Sequence, residues 1–251
     1  MLEPIEQIVQ QFSPITLKEM DGVELMNRTD TKFVVSLEQL LTILEDVKAA
    51  YTILEVNGVR FSHYDTLYYD TNDFLFYTKH HNGKRNRWKI RKRSYLDSQL
   101  NFLEMKFKTN QGRTEKQRIG IPDMEGNLSD DEEQFVGIKS GIEVSLSPKL
   151  DNRFTRLTLV NCELKERITI DTNLSFAWND TKKSLHNVII VEVKQNRQNR
   201  FSPFVVALKK LHIHQESISK YCLGVALLVP FVKKNNFKEK LLKVNKLESI
   251  K

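Results

Sequence analysis

The sequence predicts an α+β fold: an antiparallel sheet or barrel of about eight strands, with helices before, between and after it. Three observations point there. Segments rich in Val, Ile, Tyr and Thr follow one another across short connections, as hairpins do. Six of them alternate charged with apolar residues at a period of two. Helical segments flank them, and those at 37–48 and 203–228 carry apolar stripes that need a surface to cover.

Residues 3–12 read as a short helix and 23–35 as a strand. Ser36 followed by Gln39 is a capping-box pair, which starts a helix running to about Ala49. Residues 51–61 and 64–70 suit strands, and 73–81 a short helix. Residues 86–96 and 101–109 form a hairpin across Asp97-Ser98-Gln99. The stretch 130–141 reads as an exposed helix whose opening acids suit the positive end of its dipole. Strands resume at 152–160, 163–172 and 187–195, and one helix is expected over 202–228 with Pro203 in its first turn. Residues 1–230 make a single domain. Residues 231–251 form a basic tail, expected to be solvated and weakly helical.

Alternate residues of a strand share a face. On that parity Arg28, Asp30 and Lys32 sit together. So do Arg87, Lys89, Arg91 and Arg93, and so do Glu104, Lys106 and Lys108. Arg156 pairs with Thr158, Arg167 with Thr169 and Asp171, and Glu192 with Lys194. A solvated sheet face explains one such strand. It does not explain six whose charge is so one-sided, because like charges side by side cost free energy unless an anion offsets them. In a barrel the charged face points either outward to water or inward to a wet channel. The striped helices need an apolar face to cover, which favours the channel.

The 251 residues are 40% hydrophobic, enough for a core, and carry a net charge of +7, which favours anionic partners. No apolar run is long enough to span a membrane, and the N-terminus has no secretory pattern, so a soluble, cytoplasmic chain is expected. Cys162 and Cys222 read as two buried free thiols in a reducing compartment. The six histidines show no metal-ligand spacing; His212 and His214 lie two apart on a helix and face different ways. There is no phosphate-binding Gly-rich loop and no Ser-His-Asp arrangement. A nucleic-acid site would want aromatics among the bases, but Trp88 falls on the apolar face and Tyr95 alone shares the basic one, which argues against nucleic acid.

Eight segments, in order, resemble the VTC domain, the polyphosphate polymerase module of the vacuolar transporter chaperone and a branch of the triphosphate tunnel metalloenzymes with the CYTH proteins. They are RTDTKF (28–33), YYDT (68–71), KIRKRSY (89–95), FLEMKFK (102–108), FTRLTL (154–159), ERITIDTNL (166–174), VIIVEVK (188–194) and SISKYCLG (217–224). The resemblance implies an eight-stranded antiparallel β-barrel around a polar tunnel, with helices outside. It implies that Lys32, Arg91, Arg93, Lys106, Arg156 and Arg167 hold phosphoryl groups and serve catalysis. It places Lys220, on the C-terminal helix, near the tunnel mouth, and gives Glu192 a divalent metal, manganese or magnesium. Arg28, Arg87, Lys89 and Lys194 join the binding set by parity. The superfamily opens with Glu-x-Glu-x-Lys, whereas this chain has Arg28-Thr29-Asp30-Thr31-Lys32, one acidic ligand fewer. The membrane helices and sensing domain of the eukaryotic complex have no counterpart here.

The function implied is a metal-dependent phosphotransferase of the polyphosphate polymerase type, acting on a nucleoside triphosphate or polyphosphate. The alternatives are an inorganic tri- or polyphosphatase, and a binding module without turnover. Arginine forks and lysine point charges suit phosphate oxygens, and phosphoryl transfer asks mainly for positioning and charge neutralisation. Asp30 and Glu104 are either second metal ligands or, preferably, partners of neighbouring bases. Asp171 is left open between the two.

Overall fold

A computed structural model of the chain describes residues 2–21, 29–141 and 144–250. In chain order the elements are α1 (Leu2–Val9), β1 (Pro14–Ile15), α2 (Leu17–Asp21), β2 (Thr29–Val35), α3 (Leu37–Val47), β3 (Thr52–Leu54), β4 (Ser62–Asp70), α4 (Leu75–His81), β5 (Arg87–Tyr95) and β6 (Leu100–Lys108). They continue with β7 (Thr114–Ile121), α5 (Asp130–Ser140), β8 (Ser147–Asn161), β9 (Glu166–Trp178), β10 (Thr181–Leu185), β11 (Ile189–Gln195), α6 (Pro203–Lys210), α7 (Lys220–Leu228) and α8 (Lys238–Glu248). The fold is α+β, as the sequence predicts.

Eight strands hydrogen-bond in the order β2-β11-β9-β8-β4-β5-β6-β7, each antiparallel to its neighbours. Every one of them contributes residues to a single cavity, so the sheet curls around its charged face. Among the described residues the edge strands β2 and β7 do not pair, which corrects the closed barrel to an open curl. The inner face is apolar, and so draws together, only at one end. There Val34, Leu150, Leu174, Phe176 and Ile190 pack around α7. Gly224 makes that approach possible: a Cβ at this position would stand 2.6 Å from both Leu150 Cδ2 and Phe176 Cδ1.

The outer face carries the parity-predicted apolar residues. Phe33, Val35, Leu157, Leu159, Ile168, Ile170, Val191 and Val193 lie beneath α1, α3 and α6. Ile90, Leu103 and Met105 lie with Leu67 and Tyr69 beside α5. Ser36 and Gln39 form the capping box of α3, and Ser129 and Glu132 form another at α5. Helix α5 is less exposed than its acidic start suggests. Glu132 and Val136 are buried, and Glu132 pairs with buried Lys92 at 3.0 Å.

Four further expectations change. The segment 51–61 supplies only the short β3, off the main path, while β7 takes a place in it. Strand β7 is mostly exposed and nearly lacks apolar residues, so its sequence carries little strand signal. The helix expected over 202–228 breaks into α6 and α7. His212 adopts φ 53°, and the following irregular linker donates the Glu216 N–H to the Lys32 carbonyl at 2.7 Å. His212 and His214 therefore lie in that linker, not on a helix. Residues 231–250 are not a solvated tail. Val244 and Leu247 of α8 are buried beside α7, and the Glu248 carboxylate accepts the backbone N–H groups of His186 and Asn187. Finally, Cys222 is buried but Cys162 is exposed.

Candidate functional site

The curl of the sheet brings the six alternating strands onto one cavity of about 1370 Å³. Among the described residues, thirteen lysines and arginines line it against the carboxylates of Asp30, Glu192 and Glu216. Of the residues singled out from the sequence, Lys32, Arg87, Lys89, Arg91, Arg93, Lys106, Arg156, Arg167, Glu192, Lys194 and Lys220 all line it. Arg28 lies outside the described residues. Lysines 108 and 116 and Arg118 extend the basic lining along β6 and β7.

Three acidic groups hold this charge in place. Glu104, wholly buried, accepts from Arg91 Nε at 2.8 Å and forms an ion pair with Lys116 Nζ at 2.6 Å, with Arg93 at 4.0 Å. Asp171 takes both prongs of Arg156, at 2.5 and 2.8 Å, and pairs with Lys220. Glu192 pairs with Lys194 at 2.6 Å and stands 3.9 Å from Lys32, its cross-strand neighbour. Glu104 and Asp171 are thus pairing partners of bases. Burial opposes ionisation of all three acids, but the adjacent cations win and hold each carboxyl well below the usual carboxylate range.

Arg91 and Arg156, beside their carboxylates, are held above their ordinary values, but other cations are lowered. Burial lowers Lys89 to about 8 and Lys220 to about 7, the latter despite Asp171. Burial and the neighbouring Arg91 lower Arg93 to about 10. The charge of Arg91, then burial, pushes Lys106 well below its ordinary value. Burial and, at Lys106 above all, neighbouring like charge thus disfavour the protonated form of these groups, and a polyanion nearby would favour it.

The break between α6 and α7 matters to the site. It sets Lys220 in the first turn of a helix entering the closed end, capped by Ser219. The linker before it lies along the cavity: Lys32 Nζ donates to the Ile218 carbonyl at 3.3 Å and Lys89 Nζ to Ser219 Oγ at 3.1 Å. His80 of α4 also lines this end; burial, then Lys89 and Arg87, lower its imidazole to about 2, so it is neutral.

Among the described residues no three His, Cys, Asp or Glu side chains gather as a ready-made metal cage. A hard cation of the magnesium type needs no such cage, because one or two carboxylates and substrate phosphates suffice to hold it. Glu192, on the cavity wall with Asp30 diagonally across on β2, is a donor set of that kind. The parity argument misses the aromatic lining. Tyr64 and Tyr68, on β4, join Tyr95 on the cavity wall, because β4 alternates aromatic with small or polar residues and shows no charged pattern.

No helix among the described residues is long and apolar enough to cross a membrane. Among solved structures, a putative adenylate cyclase from Vibrio parahaemolyticus aligns at 14% identity over 77% of this chain and 97% of its own, with a TM-score of 0.46. A putative adenylyl cyclase from Hippeastrum, described as having a dominant triphosphatase activity, aligns at 12% identity over 80% and 98%, with a TM-score of 0.49. A Pyrococcus horikoshii protein aligns at 9% identity over 78% and 98%, with a TM-score of 0.41. No curated protein sequence matches. The VTC domain model matches residues 27–229, a span that takes in every strand of the cavity wall and all of α7, and the chain belongs to that family.

Proposed function

We propose that this chain is a metal-dependent phosphotransferase that extends polyphosphate, drawing phosphoryl groups from a nucleoside triphosphate or polyphosphate held in the basic cavity. One observation carries the reading. Thirteen cationic side chains face one cavity, and the acids around them are too few to neutralise them. A chain of phosphates carries roughly one charge per phosphoryl unit and suits that excess, whereas a solvated protein face has no need of it. Belonging to the VTC family supports the same substrate class.

In this reading Arg91, Arg93 and Arg156 clamp phosphate oxygens with planar forks, each fork aimed by the acid or hydroxyl it already touches. Lys32, Lys106, Arg167 and Lys220 add positive charge around the phosphoryl group in transfer; Arg87, Lys89 and Lys194 hold the rest of the chain. Glu192 would hold manganese or magnesium, which when bound would supply further charge neutralisation at the phosphates. The setting proposed is the cytoplasm, where nucleoside triphosphates are at hand.

The test incubates purified protein with ATP and manganese, and separately with tripolyphosphate and manganese, following phosphate release and polymer length together. Polymer from ATP is the expected result. Phosphate release alone from tripolyphosphate would make the protein a triphosphatase. Tight binding without turnover of either would make it a binding module.

A further inference from the structure

Stacking of a nucleobase needs aromatic rings set among cations. Strand parity offers Tyr95 alone, but the fold gathers more. Tyr64 and Tyr95 are cross-strand partners on β4 and β5, with ring centroids 5.0 Å apart, and both line the cavity. Phe154 of β8 stacks parallel against Tyr64 at 4.9 Å, and Phe102 of β6 meets Tyr95 edge-on at 5.8 Å. Three arginines are interleaved. The guanidinium carbons of Arg156 and Arg93 lie 5.2 and 5.6 Å from the Tyr64 ring, and that of Arg118 lies 4.5 Å from Phe102.

Two features suit this collar to a base. The rings facing the cavity are backed by other rings, so they are already ordered and stacking costs little further entropy. Tyr95 also follows Arg93 on the same face of β5, roughly 7 Å along the strand at ~3.4 Å per residue. It lies six residues beyond Lys89, which reaches Ser219 at the α7 end. A nucleoside triphosphate entering phosphates first would leave its base beside Tyr95.

We propose that Tyr95, with Tyr64 beside it, is the stacking platform for the base of a nucleoside triphosphate whose phosphates run past Arg93 toward Lys106 and Lys220. The inference rests on the phosphoanhydride reading above and adds to it the residues that tell a nucleotide from inorganic polyphosphate.

The experiment compares ATP with tripolyphosphate, which has no base, by calorimetric binding to the full chain at one salt concentration. Tyr95→Leu should weaken ATP about tenfold, as loss of one aromatic stacking partner does, and leave tripolyphosphate within about twofold. Tyr95→Phe, which keeps the ring, should retain ATP affinity. In Tyr95→Trp the added indole emission should be quenched by ATP and not by tripolyphosphate, a readout that survives if the leucine variant folds poorly. Equal loss of both ligands in a folded Tyr95→Leu, or no loss of ATP, overturns the platform while the phosphate reading stands. So does unquenched indole emission while ATP is bound. A wild-type chain that binds neither ligand overturns both.

Discussion

At the scale of single residues, Glu192 separates holding phosphate from transferring it. Its carboxylate contacts Lys194 and Lys32, so Glu192→Ala removes negative charge from a cavity already rich in positive charge. Tripolyphosphate binding should be kept or tightened, while manganese-dependent turnover should fall to background. Normal turnover at saturating manganese would show that Glu192 does not hold the metal. The lysines make a second prediction. Lys89 and Lys220 are depressed to about 8 and about 7, whereas lysine in an unfolded chain ionises near ~10.4. Between about pH 7 and 10 the unfolded state therefore binds more protons, and the empty protein should gain stability as pH rises through that window. A bound polyanion favours the charged lysines and raises both values, so binding at pH 8 should take up protons. Calorimetry in two buffers of different ionisation heat measures that uptake, and its absence would contradict the buried-lysine picture. Glu192 and Lys89 were legible in the sequence because a strand turns a spacing of two into a shared face, whereas Lys220, on a helix, was implied only by the resemblance to the VTC domain. Tyr64 and Phe154 were not legible, since their apolar character suits either face until a partner ring fixes it.

At the scale of elements, α7 closes one end of the cavity and delivers Lys220. Gly224→Ala sets two effects against each other. Alanine raises intrinsic helix stability by about 1 kcal/mol. Its Cβ, however, would lie 2.6 Å from two packed side-chain atoms, and overpacking of that kind costs about 1–3 kcal/mol. Overpacking should win: denaturant unfolding should show a net loss, and tripolyphosphate affinity should fall as Lys220 is displaced. A net gain in stability would mean that α7 does not pack so closely on β8 and β9. The helix break that positions Lys220 was hidden in the sequence. Residues 211–219 contain no proline or glycine, and the turn is made by His212 in a left-handed conformation, its N–H and that of Ile213 bonding back to the Lys209 and Leu208 carbonyls of α6. Strand β7 was missed for a related reason. Its cavity face is charged, and on its other face only Ile119 and Ile121 pack against the core beside α5, too few for an apolar alternation. The same logic hid α8, whose two buried residues are scattered among lysines.

At the scale of the molecule, the apolar side of the sheet lies outward under helices and the charged side lies inward, the reverse of an ordinary barrel core. The alternation in sequence and the apolar stripes of the covering helices made that inversion readable. Closure was not, because pairing of two edge strands leaves no local pattern. An inward charged face carries a thermodynamic consequence. Folding crowds cations that the unfolded chain spreads apart, so a polyanion that binds only the native state should stabilise it strongly. At a concentration near one hundred times the dissociation constant, linkage adds about 2.7 kcal/mol. For a chain of this size that corresponds to roughly 5–11 °C in Tm, at ~2–4 °C per kcal/mol. The most direct test is the thermal unfolding of the full chain at low salt with tripolyphosphate, against sulfate at matched ionic strength. A rise of that size with tripolyphosphate, much smaller with sulfate, screened by added salt and largely lost in an Arg91→Ala, Arg93→Ala double variant, is the predicted result. No rise with tripolyphosphate, or an equal rise with sulfate, would contradict a cavity built for a phosphate chain.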